Sequence, residues 1–307
     1  MTLHAADLKE GYDTQLPFAA YLYLNVVTLT TSPAALLARL RGRAEAVLAA
    51  LLARLDASAE QWSRAVEAPG PPAADRPTAA REHIAAARED APAPILRRGG
   101  AVLTYAELRA ETAARLGEEA VAEALAGEWE RLPPNSDKRE RCLRLVRRLW
   151  ALSGRQGPAV VLYYAPPYYP HVAARRSNDG APDPLQEAVA AVAAAHPELN
   201  LVVREYFPLL SDLSYLRLDP DLDLEALRDN MPVWQESDEG APPRPGSYTL
   251  PLEAMRALDL AVVNIGPYGR AVHQAGERVL MSYSFGVVPR LIYETIERLG
   301  VEPVEHD

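Results

Sequence analysis

The first part of the chain changes from a strand-like apolar run to apolar positions at helical spacing. The run PFAAYLYLNVVTLT, residues 17–30, is rich in β-branched and aromatic side chains, which predicts a strand. Ser32 and Pro33 are suited to the cap and first turn of a helix. Leucine and alanine then recur at helical spacing from Ala34 to about Val66. We therefore expect a strand followed by one long helix.

The pattern continues after a proline- and alanine-rich segment, residues 67–80, which predicts a surface loop. PILRRGGAVLTY predicts two short strands around a Gly-Gly turn, and Thr104 with Glu107 fits a helix capping box. From this capping box, helix is expected to run through Gly117 to about Trp129, and then again from Asp137 to about Leu152; GPAVVLYYAPP then predicts a buried strand. The order of these elements is that of a ferredoxin-like βαββαβ fold with an enlarged second helical segment.

The second half of the chain alternates between predicted helices and predicted strands. The helices are expected over 183–195, 221–229, 250–258 and 287–300, and the strands over 199–207 and 259–266. His196, at the C-terminal end of the first helix, is expected to serve the helix dipole. Such alternation indicates a three-layer α/β unit. Because a typical sheet has ~5–6 strands, two or three strands predict an incomplete one.

Composition and charge narrow the classes of function. The net charge of -10 argues against a nucleic-acid partner, because phosphate binding needs a positive surface. The one cysteine, Cys142, excludes an internal disulfide and a cysteine metal cluster, and its helical context predicts a packed thiol. The opening residues lack the layout of a signal peptide, and no apolar run approaches the ~20 residues of a membrane span. We therefore expect a cytoplasmic protein with no membrane partner.

Three motifs, in order along the chain, carry a resemblance to a known family. They are APPYYPHVAARRSNDGAPDPLQEAV, VVREYFPLLSDLSYL and VVNIGPYGRAVHQAGERV. Together they resemble the C-terminal part of the di-zinc aminoacylase/carboxypeptidase superfamily of metallopeptidases, which includes acetylornithine deacetylase and succinyl-diaminopimelate desuccinylase. Within that superfamily the chain looks most like the RocB-type arginine utilisation proteins. The opening YDTQLPFAAYLYLNVVTLTTSP also resembles the start of the domain inserted in that branch.

The resemblance implies a fold and a division into domains. In that superfamily a ferredoxin-like lid interrupts a three-layer α/β catalytic domain. We accordingly expect a remnant N-terminal segment over 1–14, a lid or dimerisation domain over 15–170, and the C-terminal half of a catalytic domain over 171–307. The family's other metal ligands and its general base belong to an N-terminal half that has no counterpart before the lid here. The fold class expected is therefore α/β, with an incomplete zinc-peptidase-like catalytic segment.

His273 occupies the place of the family's last metal ligand, so the resemblance implies a zinc ligand there. A loop that leaves the carboxyl end of a strand is where open α/β sheets place ligands, and neutral imidazole binds zinc well. Glu277 or a backbone carbonyl could hold the other ring nitrogen from the second shell. The alternative is a solvated loop histidine. Because a catalytic zinc needs about three protein ligands, His273 cannot hold one alone.

Four further residues are candidate contacts for a small substrate derived from an amino acid. Ser211 and Asp212 match the family's Ser-Asp turn beside the substrate pocket, although such a pair is also common in turns and caps. Tyr268 lies in the GPYG turn of the third motif. Arg278 could bind a substrate carboxylate through both arms of its guanidinium group, or it could pair with Glu277.

Two functions compete. In the first, the chain is part of a zinc-dependent amidohydrolase or peptidase that cleaves an amide bond of an acylated or peptide-linked amino acid, in arginine utilisation. It would need a complementary N-terminal half for catalysis, and no catalytic residue is assigned within this chain. In the second, the chain is a non-catalytic lid-type module for dimerisation or ligand binding. A homo-oligomer is expected in either case.

Overall fold

The computed structural model describes residues 2–8, 18–67, 100–171, 183–207, 210–218, 222–236, 242–258 and 260–300. The strands of these residues are β1 Thr2–Asp7, β2 Ala20–Leu24, β3 Ala101–Thr104, β4 Ala159–Leu162, β5 Gly269–Arg270 and β6 Arg278–Val279. The α-helices are α1 Pro33–Glu67, α2 Tyr105–Leu116, α3 Glu118–Arg131, α4 Lys138–Ser153, α5 Pro184–Ala195, α6 Glu225–Asp229, α7 Leu252–Leu258 and α8 Val288–Arg298. Within these ranges, no helix has both the length and the apolar character that crossing a membrane requires.

The chain folds as two compact units. Unit 1 comprises Met1–Thr30, Tyr169–Leu222 and Pro251–Asp307, and unit 2 comprises Thr31–Tyr168 and Asp223–Leu250. The division differs in two places from the domains expected from the resemblance. Residues 18–30, expected at the start of the lid, fold with unit 1, and Asp223–Leu250, expected in the catalytic segment, folds with unit 2.

Helices α1 and α4 lie within one residue of their predicted bounds, and α2 begins at the predicted capping box. The expected continuation of helix through Gly117 is wrong, because Gly117 has φ of 93° and separates α2 from α3. The Thr104 hydroxyl accepts a hydrogen bond from the backbone N–H of Glu107 at 3.3 Å. The Glu107 carboxylate accepts one from the backbone N–H of Thr104 at 2.8 Å. Two of the four backbone donors that a helix start leaves unpaired are satisfied in this way. The side chains involved lie within four residues, so the start of α2 is readable from local sequence.

Strands β3 and β4 pair in parallel, from Ala101 opposite Ala159 to Thr104 opposite Leu162. Helices α2, α3 and α4 form the crossover between them, as a parallel pair requires. The core lies between these helices and the strands, and its buried residues are Leu103, Tyr105, Leu108, Val121, Val146 and Leu149. The first strand of the predicted Gly-Gly pair and most of the loop over 67–80 lie outside the described residues. The four-stranded ferredoxin-like lid therefore stays a prediction.

The segment Asp223–Leu250 is joined to the rest of unit 2 through Asn230. Its backbone carbonyl accepts a hydrogen bond from Tyr164 N–H at 2.7 Å, and its side-chain oxygen accepts one from Ala106 N–H at 3.0 Å. The second bond satisfies a backbone donor in the first turn of α2. Asn230 and Ala106 are 124 positions apart, so no local pattern could have shown this association.

In unit 1 a strand before the predicted lid pairs with a strand from the start of that lid, and the sequence analysis predicts neither the first strand nor the pairing. Strand β1 pairs antiparallel with β2, which is the central part of the strand predicted over 17–30. Helices α5 and α8 pack against each other, and α5 begins at Asp183, whose carboxylate accepts a hydrogen bond from Leu185 N–H. The helices predicted around residues 183–195 and 287–300 are thus confirmed.

The two strands predicted over 199–207 and 259–266 are wrong. Residues Pro197–Leu199 form a 3-10 helix, and neither Leu201–Glu205 nor Ala261–Gly266 belongs to a strand. Within the described residues, no backbone hydrogen bond pairs either segment with another. β-branched side chains favour an extended chain locally, but a strand also needs a neighbour to pair with. Tyr206 forms a single β-bridge, and Leu260 N–H donates to the Leu216 carbonyl at 3.2 Å, but over the described ranges neither predicted strand is formed.

Candidate functional site

His273 lies on a short hairpin in unit 1, formed by β5 and β6. These strands pair antiparallel, with Gly269 opposite Val279 and Arg270 opposite Arg278. A Cβ atom on Gly269 would lie 2.6 Å from the Arg278 carbonyl oxygen, so only glycine allows the strands this close. The hairpin that presents His273 therefore depends on glycine at its base.

The loop between β5 and β6 contains two non-glycine residues in the left-handed region. Ala271 has φ of 56° and His273 has φ of 60°. Each such residue costs of order 1–3 kcal/mol, and residues of this kind cluster at functional sites. The His273 backbone N–H donates a hydrogen bond to the Glu277 carboxylate at 3.3 Å, and turn bonds join Gln274 to Ala271 and Glu277 to Gln274. The loop is thus tied to itself, and the imidazole is exposed to solvent.

Glu277 and Arg278 have backbone partners in this hairpin. The Glu277 carboxylate contacts the backbone of His273, the residue whose ring it was expected to orient. The Arg278 guanidinium donates a hydrogen bond to the Gly276 carbonyl at 3.0 Å. Tyr268, which precedes β5, accepts a bond from Leu280 N–H at 2.8 Å through its backbone, and its side chain is exposed. Three of the candidate residues therefore shape or border the hairpin that presents His273.

Ser211 and Asp212 begin a 3-10 helix, Asp212–Tyr215. The Ser211 hydroxyl accepts a hydrogen bond from Leu213 N–H at 3.3 Å, which is the ordinary role of a helix-capping serine. The Asp212 side chain is exposed. A capping role is thus observed for Ser211, and the substrate role expected for both residues stays a prediction.

A cavity of about 430 Å³ lies within unit 1. Its walls come from α5, from α8, and from the segments 201–207 and 261–266. Arg217 and Asp183, both largely buried, form an ion pair at 3.8 Å in this wall. Among the residues the structure describes around the cavity, none of the six candidate site residues lines it. The sequence analysis therefore missed this cavity, because its walls come from segments distant in sequence.

His196 has a different role from the one expected. Its Nε2 lies 2.7 Å from Oε2 of Glu294 on α8, and its Nδ1 lies 3.2 Å from Oε1 of Glu198. These hydrogen bonds, first that to Glu294 and then that to Glu198, raise the pKa of His196 above its ordinary value. The residue thus joins the C-terminal end of α5 to the middle of α8, in addition to any effect on the dipole of α5. Glu294 is 98 positions away, so no local pattern signals this contact.

The donor set of the described residues does not form a zinc site. Over those ranges no three His, Cys, Asp or Glu side chains converge in a way that could hold a metal ion. His273 is the one recognised ligand, and a catalytic zinc needs about three protein ligands. No step of a reaction can therefore be derived through a metal from these residues.

Comparison with known proteins places this chain near RocB. No family model matches the sequence, and no solved structure gives a significant match. The chain is 28% identical over 299 residues to the Bacillus subtilis (strain 168) "Uncharacterized protein YqjN", a match that covers 97% of this chain and 48% of YqjN. It is 33% identical over 166 residues to "Protein RocB" of the same strain, covering 52% of this chain and 27% of RocB.

These matches confirm the predicted likeness to RocB. The chain spans about half the length of YqjN, and its match to RocB spans about a quarter of that protein. The wider likeness to zinc-dependent aminoacylases and carboxypeptidases, which the motifs imply, stays a prediction.

Proposed function

We propose that this chain supplies part of a zinc-dependent amidohydrolase or peptidase that acts in arginine utilisation. Its substrate would be an acylated or peptide-linked amino acid, and the reaction would be hydrolysis of the amide bond. The similarity to RocB and the three ordered motifs support this proposal. The observation that carries it is the exposed His273 imidazole, presented on a hairpin whose loop holds two residues at positive φ.

In this function His273 would provide one zinc ligand, and Glu277 would hold the loop backbone that presents it. The remaining ligands and the general base would come from a complementary N-terminal half, supplied by further polypeptide. The match to YqjN supports this arrangement, because the chain covers 48% of that protein. A bound zinc would polarise the scissile carbonyl or activate water. This chain's residues would contribute the ligand and the substrate contacts expected at Ser211, Asp212, Tyr268 and Arg278.

The test measures zinc content and hydrolysis together. The full chain is purified alone and also with the part of YqjN outside the match, produced as a separate polypeptide. We expect stoichiometric zinc and hydrolysis of an N-acylated amino acid only when both are present. His273→Ala should abolish both signals, whereas His4→Ala, at another exposed histidine, should leave them unchanged. If the mixture made with His273→Ala binds as much zinc as the mixture made with the unsubstituted chain, the proposed role of His273 is wrong.

A second candidate is a non-catalytic lid-type module for dimerisation or ligand binding. The favouring observation is an exposed apolar face on α1, formed by Val47, Leu51 and Leu55, which are 69%, 48% and 41% exposed. These residues recur every four positions, so they share one side of the helix. Light scattering tests this function. The module is favoured over the enzyme if Leu51→Glu dissociates a dimer and if the chain shows no hydrolytic activity, either alone or with the added part of YqjN.

A further inference from the structure

The cavity of unit 1 has the size of a small-molecule pocket, and apolar side chains form most of its wall. Its volume is about 430 Å³, within the range of roughly 300–1,000 Å³ that is typical of ligand pockets. Leu185, Val189 and Val192 of α5 line one side, and valines of the segments 201–207 and 261–266 line another. The cavity therefore suits a ligand that carries an apolar group of several carbon atoms.

The charged residues of the wall differ in their exposure. Of the residues that the structure describes in the wall, Arg204 and Glu205 are exposed to solvent. Arg217 and Asp183 have side chains that are only 16% and 15% exposed, and a guanidinium nitrogen of Arg217 lies 3.8 Å from Oδ2 of Asp183. At this separation the two charges attract each other, but the distance exceeds the length of a hydrogen bond. One cation and one anion thus lie side by side in an apolar pocket.

Both members of this pair have the capacity to bind a further polar group. Oδ1 of Asp183 accepts a hydrogen bond from Leu185 N–H at 2.9 Å and so caps α5, whereas Oδ2 faces Arg217. A carboxylate has about four lone-pair positions, so the cap leaves room for another donor. The guanidinium group of Arg217 has five N–H donors, so it can bind a carboxylate while it stays beside Asp183.

The presence of both charges narrows the chemical class of the ligand. Asp183 would repel a ligand that is only an anion, and Arg217 would repel one that is only a cation. A free α-amino acid carries its carboxylate and its ammonium group on the same carbon atom, so it can offer one group to each residue. The resulting charge-assisted hydrogen bonds are stronger in a pocket of low dielectric constant than in water.

We propose that the cavity of unit 1 binds a free α-amino acid with a bulky apolar side chain, such as leucine. Arg217 binds the carboxylate, Asp183 accepts hydrogen bonds from the ammonium group, and the apolar residues of α5 and α8 pack on the side chain. The site goes beyond the proposed function, because an N-acylated amino acid has no ammonium group for Asp183. Within the described wall, the site also shares no residue with the His273 hairpin.

Isothermal titration calorimetry of the full chain with leucine is the first test, and it requires no zinc and no added polypeptide. The same titration is run with isocaproate, which lacks the ammonium group, and with isoamylamine, which lacks the carboxylate. We expect leucine to bind and each analogue to bind at least about tenfold more weakly, as is typical when a charged hydrogen bond is lost. If leucine does not bind, or if all three compounds bind equally, the proposal is wrong.

Two substitutions test which residue binds which group. Asp183→Asn keeps a side-chain oxygen that can cap α5, because asparagine is as good a helix cap as aspartate. It should weaken leucine binding about tenfold without weakening isocaproate. Arg217→Met should weaken leucine and isocaproate about tenfold and leave isoamylamine unchanged. If both variants, shown to be folded by circular dichroism, weaken all three compounds equally, the two charges do not act as proposed.

The apolar part of the site is tested with a series of amino acids and with a substitution in the wall. Each additional buried methyl or methylene group should tighten binding about fourfold, so affinity should rise from alanine through valine to leucine. Val189→Phe should abolish leucine binding by filling the cavity, whereas Arg204→Gln, at an exposed position of the same wall, should leave it unchanged. Alanine that binds as tightly as leucine would place the ligand outside the cavity and overturn the proposal.

Discussion

The imidazole of His196, at the end of α5, lies between the carboxylates of Glu294 and Glu198, with Nε2 2.7 Å from one and Nδ1 3.2 Å from the other. A neutral imidazole can donate only one hydrogen bond, so the arrangement favours the doubly protonated ring. Arg290 also binds Glu294, at 2.7 Å, which places one cation on each side of that carboxylate. The carboxyl pKa of Glu294 is lowered accordingly, first by His196 and then by Arg290.

The stability of unit 1 should depend on pH through His196. Because the pKa of His196 is raised in the folded chain, its stabilisation is fully present below the unfolded value of about 6.5 and is lost as pH rises through the folded pKa. The lowered pKa of Glu294 affects stability at acidic pH, where the stabilisation by its carboxylate is lost as pH falls through that pKa. We expect the melting temperature to fall from pH 6 toward pH 9 in the natural chain and much less in His196→Gln.

An NMR titration measures the His196 effect directly. The imidazole resonance of His196 should titrate above the ordinary histidine pKa, and Glu294→Gln should bring it back toward that value. A titration of His196 at or below the ordinary value in the natural chain would contradict the charged pair.

Arg141 in unit 2 should contribute strongly to stability, although no carboxylate among the described residues forms an ion pair with it. Only 1% of the residue is exposed, and its guanidinium group donates to the Trp129 and Pro133 carbonyls and to the Ser136 hydroxyl. Trp129 lies in the last turn of α3, and its carbonyl also accepts a hydrogen bond from Leu132 N–H at 3.2 Å. Arg141→Met should lower the free energy of unfolding by about 2–3 kcal/mol, because it removes three hydrogen bonds from a charged group, although the acceptors keep other partners.

Urea denaturation followed by tryptophan fluorescence measures this loss. Arg144→Met is the matched control, because Arg144 is on the same helix and its side chain is 41% exposed. Its effect should stay within about 0.5 kcal/mol, as is usual at a surface position. Equal effects from the two substitutions would show that the buried guanidinium group is not the cause.

Gly246 should resist substitution because it packs against Arg141 in a left-handed conformation. Its φ is 83°, and a Cβ atom there would lie 2.5 Å from Arg141 Nε. Gly246→Ala should therefore destabilise unit 2 by about 1–2 kcal/mol from backbone strain, and further through displacement of the guanidinium group. Gly42→Ala is the control, since a Cβ meets nothing within 4 Å there and alanine in a helix should stabilise by roughly 0.5–1 kcal/mol. Thermal melts of the two variants should shift in opposite directions.

Cys142 should be chemically inert in the folded chain. The thiol is fully buried in α4, and burial raises its pKa to about 12. Because the thiolate is the reactive form, alkylation with iodoacetamide at pH 8 should proceed only as fast as unit 2 unfolds. Mass spectrometry should find Cys142 unmodified in the native chain and modified in urea. Rapid native modification would contradict the burial.

Local sequence was sufficient for most α-helices of this protein and for several of their ends, although not for the break at Gly117 or for the π-helix Ser282–Val287. Thr104 and Glu107 lie within one turn of each other, and their reciprocal hydrogen bonds start α2 where the capping box predicted. Gly154 lies in the left-handed region just after α4, as glycine at a helix end commonly does. The likeness to RocB also came from sequence, because motifs are recognised by comparing sequences and need no knowledge of tertiary contacts. The capping residues are close to each other along the chain, and the motifs can be compared with other sequences directly.

The pairing of distant segments required the tertiary structure. The apolar runs 199–207 and 259–266 predicted strands, yet within the described residues neither run forms one, because β-branched residues favour extension without supplying a neighbour. Composition cannot distinguish the buried Arg141, which donates to backbone carbonyls, from the exposed Arg144 on the same helix. The contact of His196 with Glu294 spans 98 positions. Closing such a loop costs conformational entropy, and the packing of α5 on α8 contributes to offsetting that cost. Periodicity thus determined which residues form helices, while packing decided which distant groups meet.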